Sequence, residues 1–261
     1  MKRTTRAKLK LAILYGVLLA ALLALALITD WEAVRTNFFD REIAKGLWPE
    51  IITVGAKNTI IYTVISFSGG LAIAVVLALM RLSPVGPYRW LATAYIEFFR
   101  GLPALLVIIA SGFAVPIAFG WAPPGGLIGA GLAALVVVSS AYMAETLRAG
   151  IQAVPKGQTE AARSLGMTGT WTTMSVVLPQ AFRIVIPPLT NEFVLLIKDT
   201  SLLTIIGVAA NERELTTLAR DELSLTSNST PLIVAAIMYL IITLPLTQLV
   251  AALERRQQKA R

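Results

Sequence analysis

The sequence predicts an all-α fold, a polytopic helical bundle built for a membrane. Two features of composition point there, and a pattern of loop charges supports them. The chain has 261 residues, is 56% hydrophobic and has a mean hydropathy of +0.72. Soluble domains are usually about 45–50% apolar. The excess is also clustered: Leu11–Thr29, Asn58–Met80, Gly101–Ala144 and Leu223–Leu253 contain no charged residue. A bilayer core needs about 20 apolar residues per helix, and soluble cores have no need of uncharged stretches that long.

Six spanning segments follow in order, near Leu11–Thr29, Thr53–Met80, Trp90–Phe119, Gly126–Leu147, Gln180–Ala209 and Pro231–Leu253. The first begins after a basic start, as a signal peptide also does. Its 19 apolar residues exceed the roughly 7–15 of a signal-peptide core. The Ala24-Leu25-Ala26 cleavage-like triplet lies inside the run. A retained helix is therefore expected; cleavage would leave five spans and an N-terminus outside. The third and fourth spans come from one uncharged stretch that is too long for a single helix. The run Trp121-Ala-Pro-Pro-Gly-Gly126 divides it, since proline and glycine together mark a turn.

Loop charges give the orientation. Residues 1–10 carry Lys2, Arg3, Arg6, Lys8 and Lys10 and no acid. The connection after the first span mixes Asp30, Glu32, Asp40, Glu42 and Glu50 with Arg35, Arg41, Lys45 and Lys57. The next holds only Arg81 and Arg89, and the hairpin holds no charge. Arg148, Lys156 and Arg163 follow the fourth span, and the connection after the fifth is rich in acids. The chain ends on Arg255, Arg256, Lys259 and Arg261. Basic loops thus alternate with neutral or acidic ones, and the positive-inside rule places both termini in the cytoplasm of a cell (inner or plasma) membrane. The same bias accounts for the net charge of +8 without nucleic acid. There is no Cys and no His, which excludes disulfides, thiolate nucleophiles and the common zinc sites.

Charges inside spans cost about 2.5–3.5 kcal/mol at mid-bilayer, so they face protein or water. Glu97 and Arg100, and Glu145 and Arg148, each stand three residues apart near the cytoplasmic ends of spans; they are candidate structural ion pairs. The fifth span is the least lipid-like, with Arg183, Glu192, Lys198, Asp199 and the pair Pro187-Pro188. Prolines free backbone groups that a lipid-facing helix cannot satisfy. This span is expected inside the bundle, lining a cavity. Glu192 and Asp199, seven apart, share a face. Lys198-Asp199-Thr200-Ser201 offers both a cation and an anion, as a zwitterionic amino acid requires. Glu192, Lys198, Asp199, Thr200 and Ser201 are the candidate substrate pathway.

The loop Ala149–Pro179 lies between the fourth and fifth spans. Pro155 and Gly157 are expected to break the preceding helix. Thr159–Leu165 reads as a short helix stopped at Gly166, and a second short helix starts near Thr170. A short helix there suits docking into a partner's groove.

These residues carry a resemblance. Glu160-Ala161-Ala162, three residues, Gly166, nine residues and then Val176-Val177-Leu178-Pro179 resembles the EAA loop of binding-protein-dependent ABC importer permeases, with Val176 in place of the usual isoleucine. YIEFFRGLPALL (Tyr95–Leu106), AYMAETLRAGIQAVPKGQTEAA (Ala141–Ala162), LPQAFRIVIPPLTNEF (Leu178–Phe193) and KDTSLL (Lys198–Leu203) are similar to the branch serving histidine, glutamine, glutamate, arginine and opines. The resemblance spans about Thr53 to Leu253.

It implies the type I ABC importer transmembrane fold, a five-helix core to which this chain adds one N-terminal helix. It implies that Gly157, Glu160, Ala161, Ala162 and Gly166 form a coupling helix, with small residues allowing close approach and Glu160 meeting a basic group. It implies a second permease subunit, alike or different, two ATP-binding cassette subunits, an extracytoplasmic substrate-binding protein and a polar amino-acid substrate. The chain then divides into residues 1–50 (basic start, extra helix, extracytoplasmic loop), a transmembrane core 51–254 containing the loop 149–179, and a basic tail 255–261. No G-x-x-x-x-G-K-[ST] phosphate loop is present, so the chain is expected not to be an enzyme. ATP and Mg²⁺ would be bound by the partner ATPases, and this chain would hold no cofactor. An ion- or proton-coupled secondary carrier is the alternative, suited to Glu192, Lys198 and Asp199. Such carriers often contain inverted repeats, and no matching half is visible. A membrane scaffold is a third reading, which has no need of charged, proline-broken spans.

Overall fold

The computed structural model describes residues 3–120 and 123–259. Among the described residues there are helices and turns and no strand. In a membrane this is the expected outcome, since an α-helix satisfies its own backbone polar groups where water is absent. Helix α1 is Arg3–Ile28, and from Leu11 to Ile28 its side chains are exposed on this chain. The short α2 (Trp31–Phe38) and α3 (Arg41–Gly46) follow, each started by an aspartate cap, Asp30 and Asp40. This segment is tied to the start of the last helix. Asn228 Nδ2 donates to Thr36 O at 2.8 Å, and Asp40 N donates to Thr230 Oγ1 at 3.0 Å.

A π-helical turn, Ile51–Ala56, leads into α4 (Lys57–Leu82). After a short break comes α5 (Gly86–Gly101), then α6 (Ala104–Ile109), a π turn and α7 (Val115–Phe119). Helix α8 (Gly126–Gln152) is the most buried, with thirteen buried residues along its length. Helix α9 (Lys156–Ser164) and α10 (Gly169–Thr172) form the connecting loop. A π turn joins α10 to α11 (Leu178–Asp199), which tightens into a 3₁₀ turn, Thr200–Ile205. The amphipathic α12 (Leu215–Thr226) and the long α13 (Thr230–Lys259) complete the chain.

Among the described residues, five helices are long and apolar enough to cross a membrane, or six if one bent pair counts as a span. The third span, expected near Trp90–Phe119, is broken: α5 and the segment from α6 to α7 meet at 103°. The cause is local. Pro103 has no N–H to donate, and Leu102 before it is extended, with φ −98° and ψ 140°, as a residue preceding proline prefers. The fifth span is also shifted, running Gly169–Ile205 instead of Gln180–Ala209. The short helix expected from Thr170 continues into it without a break. Gly157 does not break a helix, since it lies in the first turn of α9; Pro155 precedes that helix as its cap. Trp121 and Ala122 of the predicted turn lie outside the described residues, as do Lys2 and Arg261.

Helix α8 sits at the centre, packed against α4, α5, α6 and α11. Its pairing with α4 is close because Gly70 faces it; a Cβ there would stand 2.7 Å from Met143 Cε. Small residues at the crossing let two backbones approach, which is how helices associate without a hydrophobic drive. One core cluster joins Ala74, Leu77, Ile96, Met143 and Val185. A second joins Ile51, Leu215, Leu218, Ala235 and Met238 toward the other end of the bundle.

Candidate functional site

A cavity with several polar lining groups lies between α8 and α11, bordered by α6. Its volume is about 350 Å³, and its lining is Ala104, Leu135, Val138, Ser139, Tyr142, Glu192, Leu195, Leu196 and Asp199. Ligand sites typically run about 300–1,000 Å³ and combine apolar walls with a few polar groups. Glu192 and Asp199 line it together, as their seven-residue spacing requires. Two other cavities, of about 660 Å³ and 200 Å³, are lined almost wholly by apolar side chains.

The remaining pathway candidates lie elsewhere. Lys198 is exposed and does not line this cavity, because adjacent helix residues point about 100° apart. Thr200 is fully buried, and its hydroxyl donates to Ile197 O at 2.7 Å. Ser201 is half-buried and donates to Lys198 O. The fifth span is only partly interior: Pro187 is buried, while Phe182 and Ile186 are exposed on this chain. Ser139, Tyr142 and Ala104 were not legible as lining residues, since nothing in an apolar run marks which small or aromatic residue meets a distant helix.

At the α9 end of the bundle the charged residues form one network. Arg81 Nη1 donates to Glu145 Oε2 at 2.7 Å, and Arg148 pairs with the same carboxylate. Arg148 also donates to Gln152. Side-chain exposures of 18% for Arg81, 23% for Glu145 and 24% for Arg148 make this a half-buried cluster. Glu145 and Arg148, three residues apart on α8, are paired within it. The Glu97–Arg100 pair is not formed: Glu97 reaches Arg81 Nη2 at 3.4 Å, and the Arg100 guanidinium lies 5.7 Å over the Tyr142 ring. The expectation failed because α5 faces α4 and α8, where a cation and an aromatic ring are nearer partners.

The α9 loop stands out from the bundle. Gly157, Glu160, Ala161 and Gly166 are exposed, and Ala162 is buried. Val154, Val177 and Ala181 form the small core beneath it. The helix closes with a Schellman motif: Met167 N donates to Ala162 O at 3.2 Å and Gly166 N to Arg163 O at 3.0 Å. That motif needs a left-handed residue, and Gly166 has φ +84°. Leu165, just before it, is 85% exposed, an apolar tip that the sequence pattern did not single out. Among the described residues no group of acids could hold a metal ion.

A helical bundle with long apolar spans around a polar cavity defines a membrane transport subunit. The chain belongs to the family of binding-protein-dependent transport system inner membrane components, whose family model matches residues 70–259. It is 40% identical over 211 residues to the probable glutamine ABC transporter permease protein of Bacillus subtilis (strain 168), covering 79% of this chain and 93% of that one. It is 34% identical over 232 residues to the glutamine transport system permease protein of Escherichia coli (strain K12), covering 88% and 98%. A crystal structure of an amino acid ABC transporter with histidines matches with TM-score 0.75 at 36% identity, over 83% of this chain and 98% of that one. An inward-facing methionine ABC transporter shares the fold, with TM-score 0.61 at 20% identity over 76% and 94%.

Proposed function

We propose that this chain is the permease subunit of an ATP-driven importer of polar amino acids. The observation that carries the proposal is α9, an exposed helix bearing the Glu160-Ala161-Ala162…Gly166 pattern at the end of a membrane bundle. Relatives named as amino-acid permeases support the substrate class. The end bearing α9 is cytoplasmic, as are both termini. Two ATPase subunits dock there, each binding ATP and Mg²⁺, and this chain catalyses no reaction. A second permease subunit, alike or different, completes the pathway, and a substrate-binding protein delivers the amino acid at the α12 end. The transport core is residues 51–254, preceded by the extra helix and followed by a basic tail.

The chemistry follows from the two regions. In the cavity, Glu192 and Asp199 hold the substrate's ammonium group, since a cation leaving water needs an anionic partner. Lys198, at the end of α11, does not line that cavity, and Thr200 and Ser201 belong to the turn that follows it. ATP-driven closure of the ATPase pair moves α9, and the shift passes to the bundle through Val154, Val177 and Ala181. Glu160→Lys in the assembled complex tests the coupling role. Uptake into proteoliposomes is expected to be lost while ATP hydrolysis continues without substrate stimulation. Normal uptake in Glu160→Lys, or uptake driven by a proton gradient without the ATPase, overturns the proposal.

A further inference from the structure

A zwitterionic substrate brings a carboxylate as well as an ammonium group, yet the cavity lining holds two carboxylates, Glu192 and Asp199, and no cation. The cations of the surrounding helices differ in what they already hold. Arg81 and Arg148 are taken by Glu145, and Lys198 does not line the cavity. Among the described residues Arg100 has no carboxylate within ion-pairing distance. Its guanidinium lies over the face of Tyr142, 5.7 Å from the ring centroid. Tyr142 is a wall of the cavity, and so is Ala104, which follows Arg100 across the bend at Pro103.

Local structure keeps the cation at that wall. Arg100 lies in the last turn of α5, where the negative end of the helix dipole favours a positive charge. Tyr142 Oη donates to Arg100 O at 3.3 Å, which fastens the end of α5 to α8 beside the ring. The Arg100 side chain is exposed on this chain. A cation in an expected span needs an anion or water, and the face of an aromatic ring is a weak substitute for an anion.

The level of Arg100 in the bundle follows from two close contacts. Gly131 of α8 faces Leu203, just past α11, and Gly150 of α8 faces Val185 within α11, so the two helices run antiparallel. Tyr142 is eleven residues from Gly131, and Glu192 is eleven from Leu203, which sets them level. Leu135 and Asp199, each four residues from the same contact, lie about 10 Å further along the axis. The guanidinium over Tyr142 therefore stands at the Glu192 end of the cavity, the end toward α9.

We infer that Arg100 is the group that holds the substrate's carboxylate. The guanidinium is a planar fork matched to the two oxygens of a carboxylate, and the incoming carboxylate replaces the Tyr142 ring as its partner. The substrate then lies with its carboxylate toward α9 and its ammonium group toward Glu192 and Asp199. The inference rests on the reading of that cavity as the substrate site.

The test uses the purified permease–ATPase complex without the binding protein, whose own recognition of the substrate would mask the result. The native chain has no cysteine, so Leu195→Cys places a single reporter thiol in the cavity lining. Its labelling by the neutral reagent methyl methanethiosulfonate is followed by mass at about pH 6.5, where α-amino groups stay protonated. Arginine, lysine, glutamine, glutamate and histidine are each compared with their α-carboxamides as protecting ligands. At least one amino acid is expected to protect the thiol, and its amide to need a concentration roughly ten- to a hundredfold higher, the size of one lost charge-assisted hydrogen bond. In Arg100→Met that preference is expected to fall to about twofold or less, while the amide protects as before. Arg100→Lys keeps the charge without the fork and is expected to retain an intermediate preference. A preference undiminished in Arg100→Met, or amino acid and amide weakened alike, overturns the inference. Where Arg100→Met fails to assemble, Arg100→Lys decides, and an undiminished preference there overturns it equally. No protection by any of these amino acids sinks the substrate-site reading and this inference with it, whereas protection with an unchanged preference spares that reading and removes Arg100 alone.

Discussion

Gly166 allows backbone strain to be separated from crowding at the coupling loop. Its φ of +84° lies in the left-handed region, which costs an L-residue about 1–2 kcal/mol. No neighbouring atom lies within 4 Å of the place a Cβ would occupy. Any side chain there meets open space in this chain, so the cost is conformational. It falls on the closure made by the Met167 and Gly166 amides, which ends α9. Since about 1.4 kcal/mol is tenfold, roughly 1–2 kcal/mol shifts the balance between closed and frayed ends by about five- to thirtyfold. Asn tolerates this region best among the other residues, and β-branched residues tolerate it worst. Uptake per assembled complex, measured in proteoliposomes containing the ATPase and binding protein, is therefore expected to fall in the order Gly, Asn, Ala, Val. Steric exclusion from an ATPase groove predicts a different order, with Ala above the larger Asn. The melting temperature of the complex is expected to stay close to wild type, because the strain is confined to an exposed turn. Ala above Asn, or Val equal to Gly, refutes the backbone reasoning.

Two further outcomes concern stability. Gly150 of α8 lies against Val185 of α11, where an added Cβ would collide with Val185 Cγ1; Gly150→Ala is expected to cost about 1–3 kcal/mol by overpacking, read as a lower melting temperature in detergent, and Val185→Ala is expected to recover part of it. Glu145→Gln leaves Arg81 and Arg148 facing a neutral amide; breaking a fully buried pair costs about 3–5 kcal/mol, and the partial exposure here reduces the expected loss to about 1–3 kcal/mol, checked by the same melt.

The spans were legible because lipid imposes a strong constraint on composition. A stretch such as Gly126–Leu147 has to be apolar along its length, and the helix found there extends only a few residues further, to Gln152. The bend between α5 and α6 was less legible because both arms are apolar and hydropathy does not change across it. Its signal was Gly101-Leu102-Pro103, a local backbone constraint inside a uniform run. The early start of the fifth span has a similar cause. Nothing between Thr170 and Leu178 stops a helix, and the π turn Thr173–Val177 carries the chain past Pro179, which has no N–H to donate to the turn before it.

The sites were legible only where periodicity decides. Glu192 and Asp199 share a cavity because seven residues make nearly two turns, and Lys198 leaves it because one residue makes less than a third of a turn. Charge partners follow no such rule. Glu145 takes Arg81, 64 residues away in sequence, as well as its near neighbour Arg148, and Arg100 prefers the face of Tyr142. Glu214 makes the point most sharply. In the sequence it is one acid among several in the connection after the fifth span, yet it is almost wholly enclosed and takes a hydrogen bond from Tyr239, 25 residues on. Counting loop charges is insensitive to such an acid, because acids contribute little to the positive-inside rule. The same insensitivity is why that count is blind to a buried carboxylate: what sets Glu214 apart is the set of donors folded around it, and those come from two helices brought together only in the folded chain.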